Sequence, residues 1–247
     1  MADYLGLSDD YFVNATLSTE MDLPTNRESV LHFFEQFRKH FPTMKNFYAR
    51  EPAEFVLEEE KEERRYRWIS TEARRVVSGS VNPDTYDEGM DLHRLVLEMA
   101  PYALSASGLD CESLSLSIGF DFNFRGNHNQ LLADALGVHP VFDKIIETPG
   151  IQLLGNEPIL QFSFDGDCKT QFRLTTETRT NPFHVTTGEY PEEQLSIYLT
   201  GRRFGSLEPG DDLVTVLNEL STACQQILDN YIVEEILLPL QATIAIS

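Results

Sequence analysis

The chain has 247 residues, 41% of them hydrophobic and 24% charged, with 14 glycines and 12 prolines. That composition lies inside the globular range and excludes a mainly disordered, collagen-like or low-complexity state. Asp and Glu total 40 against 19 Lys and Arg, a formal charge of −21, and a field of that sign repels nucleic acid and anionic bilayers.

Between Tyr11 and Met21, Val13, Ala15, Leu17, Thr19 and Met21 alternate with polar residues, which predicts a half-buried strand. Pro24 breaks it, and Thr25 with Glu28 gives a capping box. Val30, Phe33, Phe34, Phe37 and Phe41 then share one helical face until Pro42. Three short segments, 54–60, 64–70 and 74–81, read as an antiparallel meander. A second helix fits Asp87 to about Leu104, with Pro101 expected to kink or shorten its last turn.

The clearest pattern follows. Leu114, Leu116, Ile118, Phe120, Phe122 and Phe124 alternate with Ser115, Ser117, Gly119, Asp121 and Asn123, a long strand with one apolar face. Asn127 or Asn129 caps a short helix that Gly137 closes. Residues 138–157 form a long connection with one helical turn near 141–146. Ile159–Phe164 and Cys168–Arg179 pair as a hairpin across Asp165-Gly166, and a third strand covers Gln194 to Arg203. A final helix runs from about Asp211 to Leu238. The apolar tail beyond Pro239 either docks on its own chain or adds to a partner's sheet.

These elements predict an α+β fold, a tandem pseudo-repeat of β-α-β-β-β-α units over 1–108 and 109–247 within one compact unit. Two antiparallel sheets, joined at an edge or wrapped as a partial barrel, would carry helices on one face. In element order alone the plan resembles the saddle of TATA-binding protein and other duplicated α+β folds. That resemblance brings no motif and no function, and the charge opposes DNA binding.

No phosphate loop, nucleophile elbow or His-Glu-x-x-His motif is present. The six histidines include no pair two to five residues apart, so neither a local histidine metal site nor a cofactor is expected. Asp121, Asn123 and Arg125 fall on one strand face, with His128 at the entry to the next helix. Together with Arg67 they would suit an anionic small molecule, with His128 or Asp121 moving a proton in an enzymatic version. A solvated sheet face followed by a capped turn is the plainer account. Arg64, Arg65, Arg67, Arg74 and Arg75 follow Glu58, Glu59, Glu60, Glu62 and Glu63, so Glu–Arg pairs across the hairpin are expected. Asp165 and Asp167 read as a turn, not a calcium loop.

Cys111, Cys168 and Cys224 are too widely spaced for a disulfide framework and read as buried free thiols. The start Met1-Ala2-Asp3-Tyr4 lacks a basic and apolar leader and no apolar run reaches membrane length, giving a soluble, cytoplasmic expectation. Five lysines against fourteen arginines fit either salt-adapted solubility or a GC-rich genome. Three functional readings compete. The preferred one is a non-catalytic binding or assembly module that meets a protein partner or itself. The others are an anionic-ligand binder or enzyme at Asp121–His128, and an acidic mimic of nucleic acid.

Overall fold

The alternation at the start of the chain folds as β1 (Asp10–Thr19), half-buried and buried by turns along its length. This computed structural model describes residues 4–51, 53–61 and 64–247. Helix α1 (Arg27–His40) is capped by Asn26, not Thr25: the Asn26 side chain accepts the Ser29 N–H at 2.9 Å. Its Phe33, Phe34 and Phe37 are buried.

The meander has one strand more than expected: β2 (Asn46–Glu51), β3 (Glu54–Glu58), β4 (Tyr66–Thr71) and β5 (Arg75–Val81). Thr85 caps α2 (Tyr86–Ala103), which holds Pro101 in its last turn. Strand β6 (Cys111–Arg125) leads through the Asn127 cap into α3 (His128–Leu136). Gly137 ends α3 with φ 72°, a conformation that favours glycine. The connection contains only a short turn and α4 (Asp143–Ile146) before β7 (Ile159–Ser163) and β8 (Thr170–Glu177).

A six-residue helix, α5 (Pro182–Thr187), was not expected; Asn181 caps it and Pro182 opens it. It precedes β9 (Glu192–Phe204). The final helix is longer than the sequence suggests. Helix α6 (Leu213–Ile227) continues through a π-helical stretch, Leu228–Leu237, into α7 (Leu238–Ile246). Pro239 falls in the first turn of α7, where proline is tolerated. The apolar tail is therefore helical and lies against α3, with Leu240 buried.

Among the described residues nine strands form one open antiparallel sheet in the order β2-β3-β4-β5-β1-β6-β9-β8-β7. The expected two sheets are thus a single one, joined where β1 pairs with β6 and Val13 faces Ile118, and it does not close into a barrel. The β-α-β-β-β-α unit also needs correction, since β2 is added to the first stretch and α5 interrupts the second.

Helices α2 and α6 lie on the middle of the sheet, on β1 and β5 and on β6 and β9 respectively, and α1 reaches β2 through Phe34 and Phe47. Beneath α2 and α6 lie Val13, Leu17, Leu116, Ile118, Ile197 and Leu199, all buried. The Tyr86 and Ser221 hydroxyls, 2.9 Å apart, tie α2 to α6. His93 is buried in this layer, with Nδ1 2.7 Å from the Ser78 hydroxyl and Nε2 3.1 Å from the Val13 carbonyl. Burial lowers His93 to about 4 against the Val13 carbonyl, which favours the charged ring. The ring is neutral at pH 7, donating from Nε2 and accepting at Nδ1.

Cys111 and Cys224 are buried, and burial raises their thiols to about 11 and about 12. Cys168 departs from the expectation of three buried thiols, being exposed in the β7–β8 turn. No helix among the described residues is long and apolar enough to cross a membrane.

Candidate functional site

The strand periodicity that put Asp121, Asn123 and Arg125 on one face holds, but the structure separates the five candidate residues. Asp121 and Asn123 lie on the sheet face opposite α2 and α6, across the ladder from Ser196 and Gln194. Arg125 is at the strand end, where its Nε donates to the Tyr190 carbonyl at 3.3 Å beside Phe183 and His184.

His128 turns away from them and is only 1% exposed. Its Nε2 lies 3.2 Å from the Phe124 carbonyl, and its Nδ1 accepts the Arg179 N–H at 3.3 Å. Burial lowers its pKa, opposed by the Phe124 carbonyl. With both nitrogens engaged by backbone, His128 serves as a structural bracket. Arg67 is on the helix-covered face, where it reaches Glu59 and Glu88 and lies 5.0 Å from the Phe41 ring centre.

Of the arginine cluster, Arg67 makes an expected pair across the hairpin, with Glu59, and the others pair with different acids. Arg64 takes Asp10, Arg65 takes Asp84 and Glu88, Arg74 takes Asp22, and Arg75 takes Glu72. Glu62 and Glu63 lie outside the described residues. Asp165 does hold a turn, accepting the Thr170 N–H at 2.7 Å and the Ser163 hydroxyl.

The open face is where polar chemistry collects. Two glycines shape it by leaving room for aromatic rings. A Cβ on Gly79 would meet the Trp68 indole at 2.1 Å, and one on Gly119 would meet the Phe12 ring at 2.1 Å. Both rings therefore lie flat on the sheet, and Phe12 contacts Tyr198 at a centroid distance of 5.7 Å.

A cavity of about 390 Å³ lies on the Trp68 side, lined by Asp10, Asn14, Tyr66, Trp68 and Asp121. Asn14 Oδ1 and Asp121 Oδ1 are buried there without a hydrogen bond. Burial raises the Asp121 carboxyl, with the Ser196 hydroxyl opposing. On the other side of the Phe12–Tyr198 contact a cavity of about 300 Å³ is lined by Gln161, Gln171, Arg173, Glu177, Thr200 and Arg202.

Arg173 and Arg202 were not singled out by the sequence. Their signal was the alternation of Gln171, Arg173, Thr175 and Glu177 with Phe172 and Leu174, and of Ser196, Tyr198, Thr200 and Arg202 with Leu195, Ile197 and Leu199. Only the register of β8 on β9 brings the two arginines together.

The sheet's two ends differ. At one end β2 is flanked by Lys45 and carries Arg50, which pairs with Glu54 at 2.8 Å. At the other, β7 reads Ile159-Leu160-Gln161-Phe162-Ser163, without a charge. Ile159 and Leu160 are 57% and 58% exposed, and Phe164 just beyond is 73% exposed. Among the described residues, eight of the eighteen exposed large apolar side chains fall between Val141 and Phe164. Behind them Val138, Phe142, Ile145, Ile146 and Leu153 line an apolar cavity of about 510 Å³.

No three or more His, Cys, Asp or Glu side chains among the described residues are grouped to hold a metal ion. No family model matches the chain, and no curated protein matches its sequence.

Proposed function

We propose that the chain is a non-catalytic assembly module that pairs with a second copy of itself through the β7 edge. The observation that carries this reading is the uncharged, apolar edge strand, itself exposing Ile159 and Leu160, preceded in the chain by a dense run of exposed apolar side chains. An edge strand presents unpaired N–H and C=O groups, and proteins that leave one free protect it with charge, as β2 is protected here. Exposed apolar side chains gathered around such an edge mark an interaction surface.

Antiparallel pairing of β7 with itself about Gln161 sets Leu160 of one copy opposite Phe162 of the other, twice over. Such apolar cross-strand pairs stabilise a sheet. The apolar cavity behind the edge offers further surface for partner side chains. The engaged ring nitrogens of His93 and His128 favour a non-catalytic role over acid–base chemistry at those residues.

The duplicated plan belongs to this reading as well. Strands β1 and β6 lie side by side at the middle of the sheet, each paired on its other side with the last strand of its own stretch, β5 and β9. That arrangement supports two similar halves joined at their first strands.

The test is a charge placed on each edge in turn. Leu160→Lys weakens self-association at least about a hundredfold, because a buried ammonium must be desolvated, whereas Ala49→Lys on β2 leaves it unchanged. Equal behaviour of the two variants in analytical ultracentrifugation refutes the proposal.

A further inference from the structure

We infer that the open-face cavity over β9, β8 and β7 binds a small oxyanion, a carboxylate or phosphate group, held between Arg173 and Arg202. This goes beyond self-association and does not require it.

The argument starts from register. Thr200 faces Arg173, and Gln171 faces Arg202, so the two arginines occupy diagonal positions on neighbouring strands and one face. Long side chains in that relation reach each other, and two guanidinium forks can grip one oxyanion from two sides. Neither arginine has a carboxylate within ion-pair distance among the described residues, unlike Arg64, Arg65, Arg67, Arg74, Arg75 and Arg94. Arg27, Arg38, Arg125 and Arg203 also lack one, but Arg173 and Arg202 line the same cavity. In a chain with 40 acids for 19 Lys and Arg, two arginines without an ion pair on the wall of one cavity mark this place.

Their surroundings prepare them. Arg202 Nε donates to the Ser115 hydroxyl at 2.9 Å, and its guanidinium lies 5.6 Å from the Phe204 ring centre. The head is thereby oriented while its terminal nitrogens remain available. Arg173 makes no hydrogen bond or ion pair to the described residues. The one carboxylate in the lining, Glu177, is paired with Arg179 at 3.5 Å. The remaining wall is neutral. The Gln161 side-chain amide donates to Gln171 Oε1 at 2.6 Å, and the Ser117 and Thr200 hydroxyls are 2.9 Å apart. An anion entering here displaces no carboxylate and meets a local positive charge.

Isothermal titration of the full chain at low ionic strength, with citrate as the carboxylate probe and pyrophosphate as the phosphate probe, tests this. At least one probe binds at one site per chain, and the tighter of the two identifies the class of oxyanion. Arg173→Gln or Arg202→Gln weakens it about tenfold, the loss of one charge-assisted contact, and the double variant shows no binding. Lys144→Gln, an exposed cation elsewhere, changes nothing. Added salt weakens the binding. Circular dichroism of each variant checks that the fold is retained. If neither probe binds the wild-type chain, or the double variant binds as well as wild type, the inference is wrong.

Discussion

Polar side chains meet different circumstances on the two faces of the sheet. Under α2 and α6, Ser78 holds His93, Tyr86 holds Ser221, and Arg67 reaches two glutamates. On the open face, among the described residues, Asn14 Oδ1 and Asp121 Oδ1 have no hydrogen bond and Arg173 has no ion pair. On the covered side Arg67 Nε and Thr71 Oγ1 are buried without a hydrogen-bond partner among the described residues. Most polar groups there are fixed parts of the packing, because an unpaired polar group in a dry layer destabilises the fold. Those on the open side keep their capacity for something else. On the reading proposed above, construction belongs to one face, and binding to the other and to the β7 edge.

The comparison breaks most readily at His93. His93→Ala removes a fully buried ring and strands both the Ser78 hydroxyl and the Val13 carbonyl, so it destabilises the fold by about 4 kcal/mol in urea unfolding. A loss below about 1 kcal/mol would mean that the covered face is not tightly committed.

Acid probes the same residue without mutation. The unfolded chain takes up a proton on His93 near the usual 6.5, whereas the folded chain resists until about 4. Between those values the unfolded state binds more protons, so stability rises with pH and is lost as the pH falls. The loss approaches about 3 kcal/mol at the acid end. Chemical denaturation across that range shows whether His93→Ala removes this part of the slope.

On the open face smaller effects are expected. Gly79→Ala lifts the indole of Trp68 off the sheet and not the backbone beneath it, destabilising by about 1 kcal/mol. Trp68 is the single tryptophan, so its emission shifts to the red as the ring enters water. An unchanged spectrum would mean that the ring does not lie over Gly79. Smallest of all, Asp121→Asn relieves a carboxyl that burial disfavours in its charged form. It leaves stability at pH 7 unchanged or raised by about 0.5 kcal/mol, measured by thermal unfolding. A clear loss would place Asp121 with the structural polar groups.

Much of this architecture is legible before folding. The period-two runs of β1 and β6 name both strands and their buried faces, and the aromatic spacing of α1 names its packed side. Edge strand β2 escapes because an edge imposes no clean alternation, and α5 because six residues give no helical period, although Asn181-Pro182 is a start signal. Pro239 suggested a stop, but a preceding π-helical stretch carries the helix past it.

The site was harder for a different reason. Parity along one strand placed Asp121 with Asn123, yet parity does not say how two distant strands share a sheet. Arg67 therefore fell on the wrong side of the molecule from Asp121, and the meeting of Arg173 with Arg202 could not be read from spacing. His128 lay beyond a turn, where strand parity no longer applies.

The central claim is that β7 is an edge built to be occupied. Sedimentation velocity of the wild-type chain over a concentration series, at low and at moderate salt, tests it most directly. The account predicts a reversible dimer that tightens with salt, because two copies each carrying −21 repel until counterions screen them. A monomer at every concentration and both salt levels would contradict it.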